Sequence, residues 1–440
     1  MLTWVEEEVE SPYGSVCTRH WAVPTVLEGA EQKEEDDREE ELEEAEDQLG
    51  AVLWNSNGAA LRWLHDHILV SLPSLKGQRI VELGAGVGCL GIALAMGGAT
   101  VCITDLKELL PLIRYNIELN RRRVRERSGG VGHCEALEWR WGPGESINIR
   151  KRLKKLGATP GKRSDKDKSP SEDAALASAV VEALSALRQP SIAMRGCQSV
   201  FASHTSIDAE DEDGGGRRKR VKGISAKQEA LVEAGIPVHM VILCDALYGN
   251  PKDWPSLLYT LSEILETNPS ECRVVNFCEQ RVTDVEGPFL KLLDAENAAG
   301  TLSGSSGCDA PYDAEFVAQT LIDRCRGGNP ASVGRHEGQT AGNVDLEQLN
   351  QAILAEVTRE KRGGVYLWSF STRTLGTEEG GGGRSDLDMI IRVTEISWKQ
   401  KATIQRSNEV DKRRRRECLD ENAAPPSAAM PKKLRREIND

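Results

Sequence analysis

Short apolar runs alternate with amphipathic stretches along much of this chain. The run at residues 80–83 ends in a group of glycines, and apolar residues continue at helical spacing over residues 87–96. A second run, residues 100–104, ends in Asp105. This order predicts a buried strand, a tight turn, a helix and a second strand. Residues 79–105 are therefore expected to form the first half of a nucleoside-binding α/β domain.

The same alternation continues on both sides of this unit. Further strands are predicted over residues 134–141, 238–244, 273–278, 365–370 and 387–393, with short ones around Val5 and residues 21–24. Helices are predicted over residues 58–71, 107–123, 251–265, 346–357 and around 289–293. The pattern predicts a Rossmann-like, doubly wound, mainly parallel seven-stranded α/β sheet with an antiparallel C-terminal edge hairpin.

Stretches with few apolar residues divide the predicted domain. The expected order is an N-terminal segment with an acidic run (1–50), the cofactor half (51–142), a largely disordered insertion (143–235), the second part of the domain (236–296), a second insertion (297–343), the C-terminal part (344–398) and a charged disordered tail (399–440). Within the insertions, an isolated helix is expected at residues 174–187 and a short one at 314–325.

The composition narrows the class of protein and its compartment. The chain has 440 residues, a net charge of −13 and eleven scattered cysteines without a C-x-x-C pair. The acidic balance argues against nucleic-acid binding, and the cysteine pattern favours thiols in a reducing compartment over disulfides or a zinc site. We find neither an apolar signal segment nor an apolar run of ~18 residues. We expect a cytoplasmic monomer without a metal and with no membrane or nucleic-acid partner.

Basic clusters and a histidine pair have simple interpretations. The clusters at residues 217–220, 412–416 and 432–436 are interpreted as solvated charge. The two C-terminal clusters are also spaced like a nuclear localisation signal, which leaves a nuclear location open. His65-Asp66-His67 lies in a helical pattern with no third ligand nearby, so we interpret it as a solvated helix face.

The glycine turn admits two interpretations. From Gly84 it is G-x-G-x-G, and from Gly86 it is G-x-G-x-x-G, the dinucleotide fingerprint. Both put a nucleoside over the turn, where the backbone allows close approach and the next helix presents free N–H groups. Glu82 favours the first, because a carboxylate aimed into the turn would repel a pyrophosphate and suit a cationic nucleoside such as S-adenosylmethionine. Asp105 is expected to hold the ribose hydroxyls.

Six motifs occur in order, each beside its predicted strand or helix. They are the Trp-bearing segment at 53–61, the glycine loop at 81–88, G-A-T-V-C-I-T-D-L at 98–106, L-E-W at 137–139, D-A-L-Y at 245–248 and C-E-Q-R at 278–281. Together they resemble the class I, seven-β-strand methyltransferases, in the protein-lysine methyltransferase branch that includes the valosin-containing-protein lysine methyltransferase. The resemblance covers residues 50–142 and 236–295, and residues 365–396 weakly.

The resemblance implies which residues bind the cofactor, S-adenosylmethionine. The implied cofactor-binding residues are Trp54, Glu82, Gly84, Ala85, Gly86, Asp105, Trp139 and Cys244. The glycine loop would lie against the methionine part of the cofactor, and Asp105 would bind both hydroxyls of its ribose. Trp139 would pack near the adenine, a role for which Trp141 competes. Trp54 would line the mouth of the site, although core packing is an open alternative for it, and Cys244 would touch the cofactor.

Asp245 and Tyr248 follow the strand predicted at 238–244, so they are expected beside the cofactor crevice. Methyl transfer from a sulfonium needs no metal and depends chiefly on holding donor and acceptor in line. A lysine acceptor has a reference pKa of about 10.4 and must first lose a proton. Asp245 is predicted to orient the amine and help to remove its proton, and Tyr248 to hydrogen-bond it. In the alternative, Asp245 caps a helix and Tyr248 is a core aromatic.

The leading hypothesis is an S-adenosylmethionine-dependent protein-lysine N-methyltransferase, whose partner is a protein that presents a lysine. An RNA or small-molecule methyltransferase is the first alternative, although Ala246 and Leu247 stand where base-directed enzymes usually have two prolines. A nicotinamide-dependent oxidoreductase would use the second interpretation of the turn. A non-catalytic scaffold would keep the fold alone.

Overall fold

The computed structural model describes residues 3–22, 49–70, 72, 74–144, 148–155, 172–205, 226–248, 251–280, 284–302, 313–326, 344–375 and 390–401. The acidic run at 31–47, the basic clusters at 217–220, 412–416 and 432–436, and Arg281 lie outside these residues. What the sequence predicts for those segments stays a prediction.

Seven of the described strands form one sheet, and most of the predicted site residues lie at or just after the ends of its parallel strands. The described strands are β1 (Trp4–Val9), β2 (Val16–Trp21), β3 (Arg79–Leu83), β4 (Thr100–Asp105), β5 (His133–Glu138), β6 (Met240–Cys244), β7 (Arg273–Glu279), β8 (Tyr366–Leu375) and β9 (Ile391–Gln400). The sheet order is β5-β4-β3-β6-β7-β9-β8, and β1 pairs with β2 in a separate antiparallel hairpin. Strands β3 to β7 run parallel, and β9 runs antiparallel to β7 and β8. The predicted fold class is confirmed.

Helices cover both faces of the sheet. They are α1 (Ser56–Trp63), α2 (Cys89–Met96), α3 (Leu110–Arg127), α4 (Ile149–Lys155), α5 (Glu172–Arg188), α6 (Ile192–His204), α7 (Ala226–Ala234), α8 (Trp254–Leu265), α9 (Glu286–Ala298), α10 (Ala314–Cys325) and α11 (Leu346–Arg362). Alternate side chains of a strand point to opposite faces. Ile80 and Ile242 accordingly join the core with α1, α2 and α3, whereas Val81 and Val241 join the core with α6, α8 and α9.

The predicted boundaries are least accurate at the C-terminal hairpin. The last strand was expected to end at residue 393, but β9 continues to Gln400. Its second half alternates buried Ile396 and Trp398 with half-buried Glu395 and Ser397. That period of two extends the ladder with β8, although the segment is more polar than the strands in the centre of the sheet.

The N-terminal hairpin packs on α3 through two buried asparagines. The side-chain amide of Asn116 accepts the N–H of Arg19 at 2.8 Å and donates to its carbonyl oxygen at 3.0 Å. Asn120 makes the same pair of bonds with Cys17, at 3.0 and 2.6 Å. Asn116 also donates to the carbonyl oxygen of Val87 at 2.9 Å. One side chain therefore ties β2 to the turn that follows β3.

Helices α4, α5, α10 and α11 form a third apolar core, which we call the helical module. The module rests on α8, where the hydroxyl of Tyr259 donates to the carbonyl oxygen of Leu187 at 2.9 Å. The helix predicted at 174–187 is confirmed as α5, but the expectation that it is isolated is wrong. Small residues on one face of α5, such as Ala179 and Ala183, are fully buried in this core. Residues 148–155, 172–204 and 226–234 of the first insertion are largely helical, and the rest of it lies outside the described residues.

Candidate functional site

The turn between β3 and α2 requires glycine at three positions. Gly84, Gly86 and Gly88 have φ angles of 67°, 57° and 78°, in the left-handed region that other residues rarely adopt. A Cβ on Gly86 would also lie 2.8 Å from the carbonyl oxygen of Gly50. The short 3₁₀ turn Leu49–Ala51 therefore lies directly against the glycine turn and closes one side of it.

Glu82 lies beneath this turn and not in it. Its side chain is 2% exposed, and Oε2 accepts the N–H of Gly91 at 2.9 Å. A Cβ on Gly91 would lie 2.6 Å from that oxygen, so glycine permits α2 to approach the strand closely. Burial raises the pKa of Glu82 to about 8. The side chain is mostly neutral at pH 7, and the prediction that its charge is aimed into the turn is wrong.

Asp105, at the end of β4, holds the turn from the other side. Its Oδ2 accepts the N–H of Gly86 and its Oδ1 accepts the N–H of Leu106, both at 2.7 Å. Burial raises the pKa of Asp105, and these two N–H donors oppose the rise. Because a carboxylate oxygen can accept more than one hydrogen bond, both oxygens keep capacity for ribose hydroxyls. The ribose contact itself stays a prediction.

The two tryptophans after β5 occupy different environments. Trp139 is 2% exposed and lies in the core between the sheet, α6 and α8. Trp141 is half-buried, and its Cζ2 atom lies 3.6 Å from the position that a Cβ on Gly84 would take. An indole enclosed in the core presents no face to a ligand. The prediction that Trp139 packs on the adenine is therefore wrong, and Trp141 is the tryptophan beside the turn.

The D-A-L-Y segment meets the glycine turn at the carboxyl edge of the sheet. Strands β3 and β6 are parallel neighbours, so the turns that follow them lie side by side. A Cβ on Gly84 would lie 3.0 Å from the Cβ of Ala246, the residue after Asp245. The segment continues as the 3₁₀ turn Ala246–Tyr248. The side chain of Tyr248 lies outside the described part of the chain, so its contact with an acceptor stays a prediction.

Asp245 has an unusual backbone conformation that three contacts maintain. Its φ is 51°, the only positive φ of a non-glycine residue within the described ranges. Its Oδ1 accepts a hydrogen bond from the N–H of Glu279 at 2.8 Å, and its Oδ2 accepts one from the hydroxyl of Ser56. Its own N–H donates to the carbonyl oxygen of Phe277 at 2.8 Å. A left-handed backbone costs about 1–2 kcal/mol, which these hydrogen bonds offset. They fix the direction of the carboxylate relative to β7 and α1.

Ser56 connects this carboxylate to Cys244, another predicted residue. It is fully buried, and its Oγ lies 3.3 Å from the Sγ of Cys244. Burial raises the pKa of the Cys244 thiol, which therefore remains protonated at neutral pH. Trp54 stands two residues before Ser56, is half-buried, and accepts the side-chain N–H of Asn57 at 2.9 Å through its carbonyl oxygen. The cofactor contacts of Trp54 and Cys244 stay predictions.

Sequence comparison identifies the cofactor half. Residues 34–145 match the family model described as lysine methyltransferase. This segment is similar to the lysine methyltransferase family. Protein-lysine methyltransferase METTL21E of Bos taurus is 36% identical over 97 residues, which cover 20% of this chain and 33% of that protein. Protein N-lysine methyltransferase METTL21A of Danio rerio is 33% identical over 101 residues, which cover 23% of this chain and 41% of that protein.

The family match is confined to part of each protein. The chain spans between a third and about two fifths of the length of these two relatives. A crystal structure of the glycopeptide N-methyltransferase MtfA complexed with sinefungin aligns with 79% of this chain at 10% identity, but its TM-score of 0.28 is too low to relate the two folds. The matched segment, residues 34–145, includes the glycine turn, Asp105, Trp139 and Trp141, and it ends before Asp245.

Ser56 and Gly50 are the site residues that the sequence did not reveal. Ser56 stands in the Trp-bearing segment, but nothing in the local pattern distinguishes its buried hydroxyl from that of an ordinary helix N-terminal serine. Gly50 follows the acidic run and has no motif of its own. Their roles depend on contacts with Asp245 and Gly86, which lie in other parts of the chain.

Two classes of site are absent from the described residues. Within them, no group of three His, Cys, Asp or Glu side chains is placed to hold a metal ion. Their helices also include none with the length and apolar character needed to cross a membrane.

Proposed function

We propose that this chain is a protein-lysine N-methyltransferase that uses S-adenosylmethionine. The observation that carries the proposal is the meeting of two turns: a Cβ on Gly84 would lie 3.0 Å from the Cβ of Ala246, beside Asp245. A cradle for a methyl donor and a carboxylate for an acceptor amine thus share one edge of the sheet. The lysine methyltransferase family match of residues 34–145 supports the donor half.

The described residues fit this cofactor in three respects. The backbone of Gly84 and Gly86 is open to close approach, and Asp105 offers carboxylate oxygens where the ribose would lie. Trp141 supplies a half-buried aromatic wall beside Gly84. When bound, S-adenosylmethionine supplies a methyl carbon activated by the positive charge of its sulfonium. The protein then contributes mainly orientation and exclusion of water.

Asp245 is suited to orienting the acceptor amine. Its two oxygens are held by Ser56 and by the N–H of Glu279, so the carboxylate has a defined direction before any substrate arrives. Because each carboxylate oxygen can accept more than one hydrogen bond, the carboxylate can also accept an N–H of the lysine. In this role Asp245 restricts the amine to the geometry of in-line attack. The proton that a lysine must lose can pass to water from an amine held in this way.

The charge of Glu82 does not distinguish a methyltransferase from a nicotinamide-dependent enzyme. Because burial raises the pKa of Glu82 to about 8, the side chain carries little charge near a pyrophosphate at pH 7. The distinction depends on the family match and on the position of Asp245. Calorimetric titration with S-adenosylmethionine and with NAD tests it directly. Binding of NAD alone would exclude the methyltransferase proposal.

The acceptor class is tested by incubating the full-length chain with a cell lysate and radiolabelled S-adenosylmethionine. We expect label that resists RNase and is lost on protease treatment, and acid hydrolysis should release it as methyl-lysine. Asp105→Ala should abolish labelling by removing cofactor affinity, which calorimetry measures separately. Label lost to RNase would favour the RNA methyltransferase, and label in neither polymer would favour a small-molecule acceptor.

A further inference from the structure

Helix α4 presents a face made only of cations. Its sequence, Ile-Arg-Lys-Arg-Leu-Lys-Lys, contains no acidic residue. Ile149 and Leu153, one helical turn apart, are buried in the helical module. This anchoring directs Arg150, Lys154 and Lys155 to solvent, where all three are exposed. No carboxylate of the described residues forms an ion pair with any of these three side chains.

The basic end of α3 provides a contrast. Three consecutive arginines there have glutamate partners: Arg121 pairs with Glu118 at 3.2 Å, Arg122 with Glu126 at 2.7 Å and Arg123 with Glu8 at 2.5 Å. The charge of these three arginines is compensated within the chain, whereas Arg125 and Arg127 of the same end have no ion pair among the described residues. Helix α4 differs in that its three exposed cations all lack such a partner, in an acidic protein whose net charge is −13.

The position of α4 relates it to the site. The N–H of Ile149 donates to Oδ1 of Asn350, near the beginning of α11, at 3.3 Å. The C-terminal ends of α5, α8 and α11 are joined at the other end of the module by Arg188–Glu360 and Lys361–Glu266 ion pairs. Helix α8 begins at the carboxyl edge of the sheet, after β6. Because α4 lies at the starting end of α11, it is located toward that same edge.

We propose that α4 is a docking surface for an acidic segment of the protein that carries the methyl-accepting lysine. This inference rests on the proposed function, because it assumes that a protein approaches the carboxyl edge. A seven-residue helix is about 10 Å long and matches a few carboxylates on a flexible peptide. A nucleic acid is a longer polyanion that is normally held by many phosphate contacts. The small size of the cationic face therefore favours an acidic peptide.

Fluorescence anisotropy with defined peptides tests the proposal on the full-length chain. The probes are a labelled peptide with one lysine between two runs of glutamate, and a matched peptide with glutamine in place of each glutamate. We expect the glutamate peptide to bind about tenfold more tightly at low salt, from three exposed ion pairs. The difference should shrink as the ionic strength approaches about 0.3 M.

Charge reversal identifies the helix that is responsible. The triple variant Arg150→Glu, Lys154→Glu, Lys155→Glu should lose the preference for the glutamate peptide. The matched variant Arg121→Glu, Arg122→Glu, Arg125→Glu, on α3, should keep it. Calorimetry with S-adenosylmethionine checks that both variants are folded and bind the cofactor. A preference that survives reversal of α4 but not of α3 would overturn the proposal.

Two further outcomes separate this inference from others. A single-stranded RNA of the same length that displaces the glutamate peptide and binds more tightly would overturn the proposal in favour of a nucleic-acid partner. Because the assay measures binding, it does not depend on turnover. A chain that prefers the glutamate peptide through α4 but transfers no methyl group would retain the docking surface and refute the proposed function.

Discussion

Ser56→Ala is expected to impair methyl transfer without weakening cofactor binding. The substitution removes the hydroxyl that donates to Oδ2 of Asp245 and leaves the bond from the N–H of Glu279 in place. A buried hydrogen bond to a charged group contributes about 1.5–3 kcal/mol. If Asp245 acts by its orientation, the loss falls on the transition state. We then expect the rate constant to decrease by about 10- to 150-fold.

Single-turnover transfer from labelled S-adenosylmethionine to lysate protein measures this rate, and calorimetry measures cofactor affinity. Ser262→Ala is the matched control, because Ser262 is also fully buried and its hydroxyl has no hydrogen-bond partner among the described residues. It should leave the rate unchanged. Ser56→Thr keeps the hydroxyl and should retain more activity than Ser56→Ala.

An unchanged rate in a folded Ser56→Ala chain would contradict this role of Ser56, because Asp245 would then need no second anchor. A loss of cofactor affinity equal to the loss of rate would also refute it, since Ser56 would then act on the donor and not on the acceptor. Urea denaturation of each variant separates both outcomes from simple destabilisation.

Three further predictions concern the donor half. Trp141→Ala should weaken S-adenosylmethionine binding about tenfold by removing an aromatic contact, as measured by calorimetry. Trp139→Ala should instead lower the unfolding free energy by about 3–5 kcal/mol, as measured by urea denaturation. The reverse pattern would show that Trp139 contacts the adenine. Burial raises the pKa of Glu82 from 4.5 to about 8, so the folded chain holds a proton that the unfolded chain releases. Relative to Glu82→Gln, the wild type should lose up to about 1.4 kcal/mol of unfolding free energy per pH unit between pH 5 and 8, and parallel pH profiles would contradict this. Gly86→Ala should abolish cofactor binding because its Cβ would meet a backbone oxygen at 2.8 Å, whereas Gly77→Ala has the same left-handed strain with nothing within 4 Å and should preserve it.

The parallel sheet and the donor half follow from local patterns. An apolar run that ends in glycine predicts both the end of β3 and the turn after it. Neighbouring parallel strands end at the same edge, so Asp105 was expected near the turn, and its carboxylate does hold Gly86. The same reasoning put Asp245 beside the crevice, and Ala246 lies against the position of Gly84.

The failures arise where the structure depends on contacts between distant residues. Trp139 and Trp141 are two residues apart and follow a strand, so periodicity alone assigns both to one face. The two side chains lie in different environments because β5 ends at Glu138 and the chain then turns toward α8. There the N–H of Gly142 donates to the hydroxyl oxygen of Thr260. Glu82 was predicted to be charged, but its protonation depends on how deeply it is buried. Its position two residues before a glycine turn does not indicate that burial.

The two halves of the helical module are synthesised far apart in time. Helices α4 and α5 emerge before β6, but α10 and α11, which complete their core, follow β7. Ala179, Ala183 and Leu184 are fully buried in the finished protein, and a nascent chain exposes them to water until α11 leaves the ribosome. Contacts across such long separations form slowly, because closing the loop costs entropy. Truncation before residue 344 would remove β8 and β9 as well as α11. It would leave these apolar residues and the edge of β7 uncovered, and the product should be aggregation-prone.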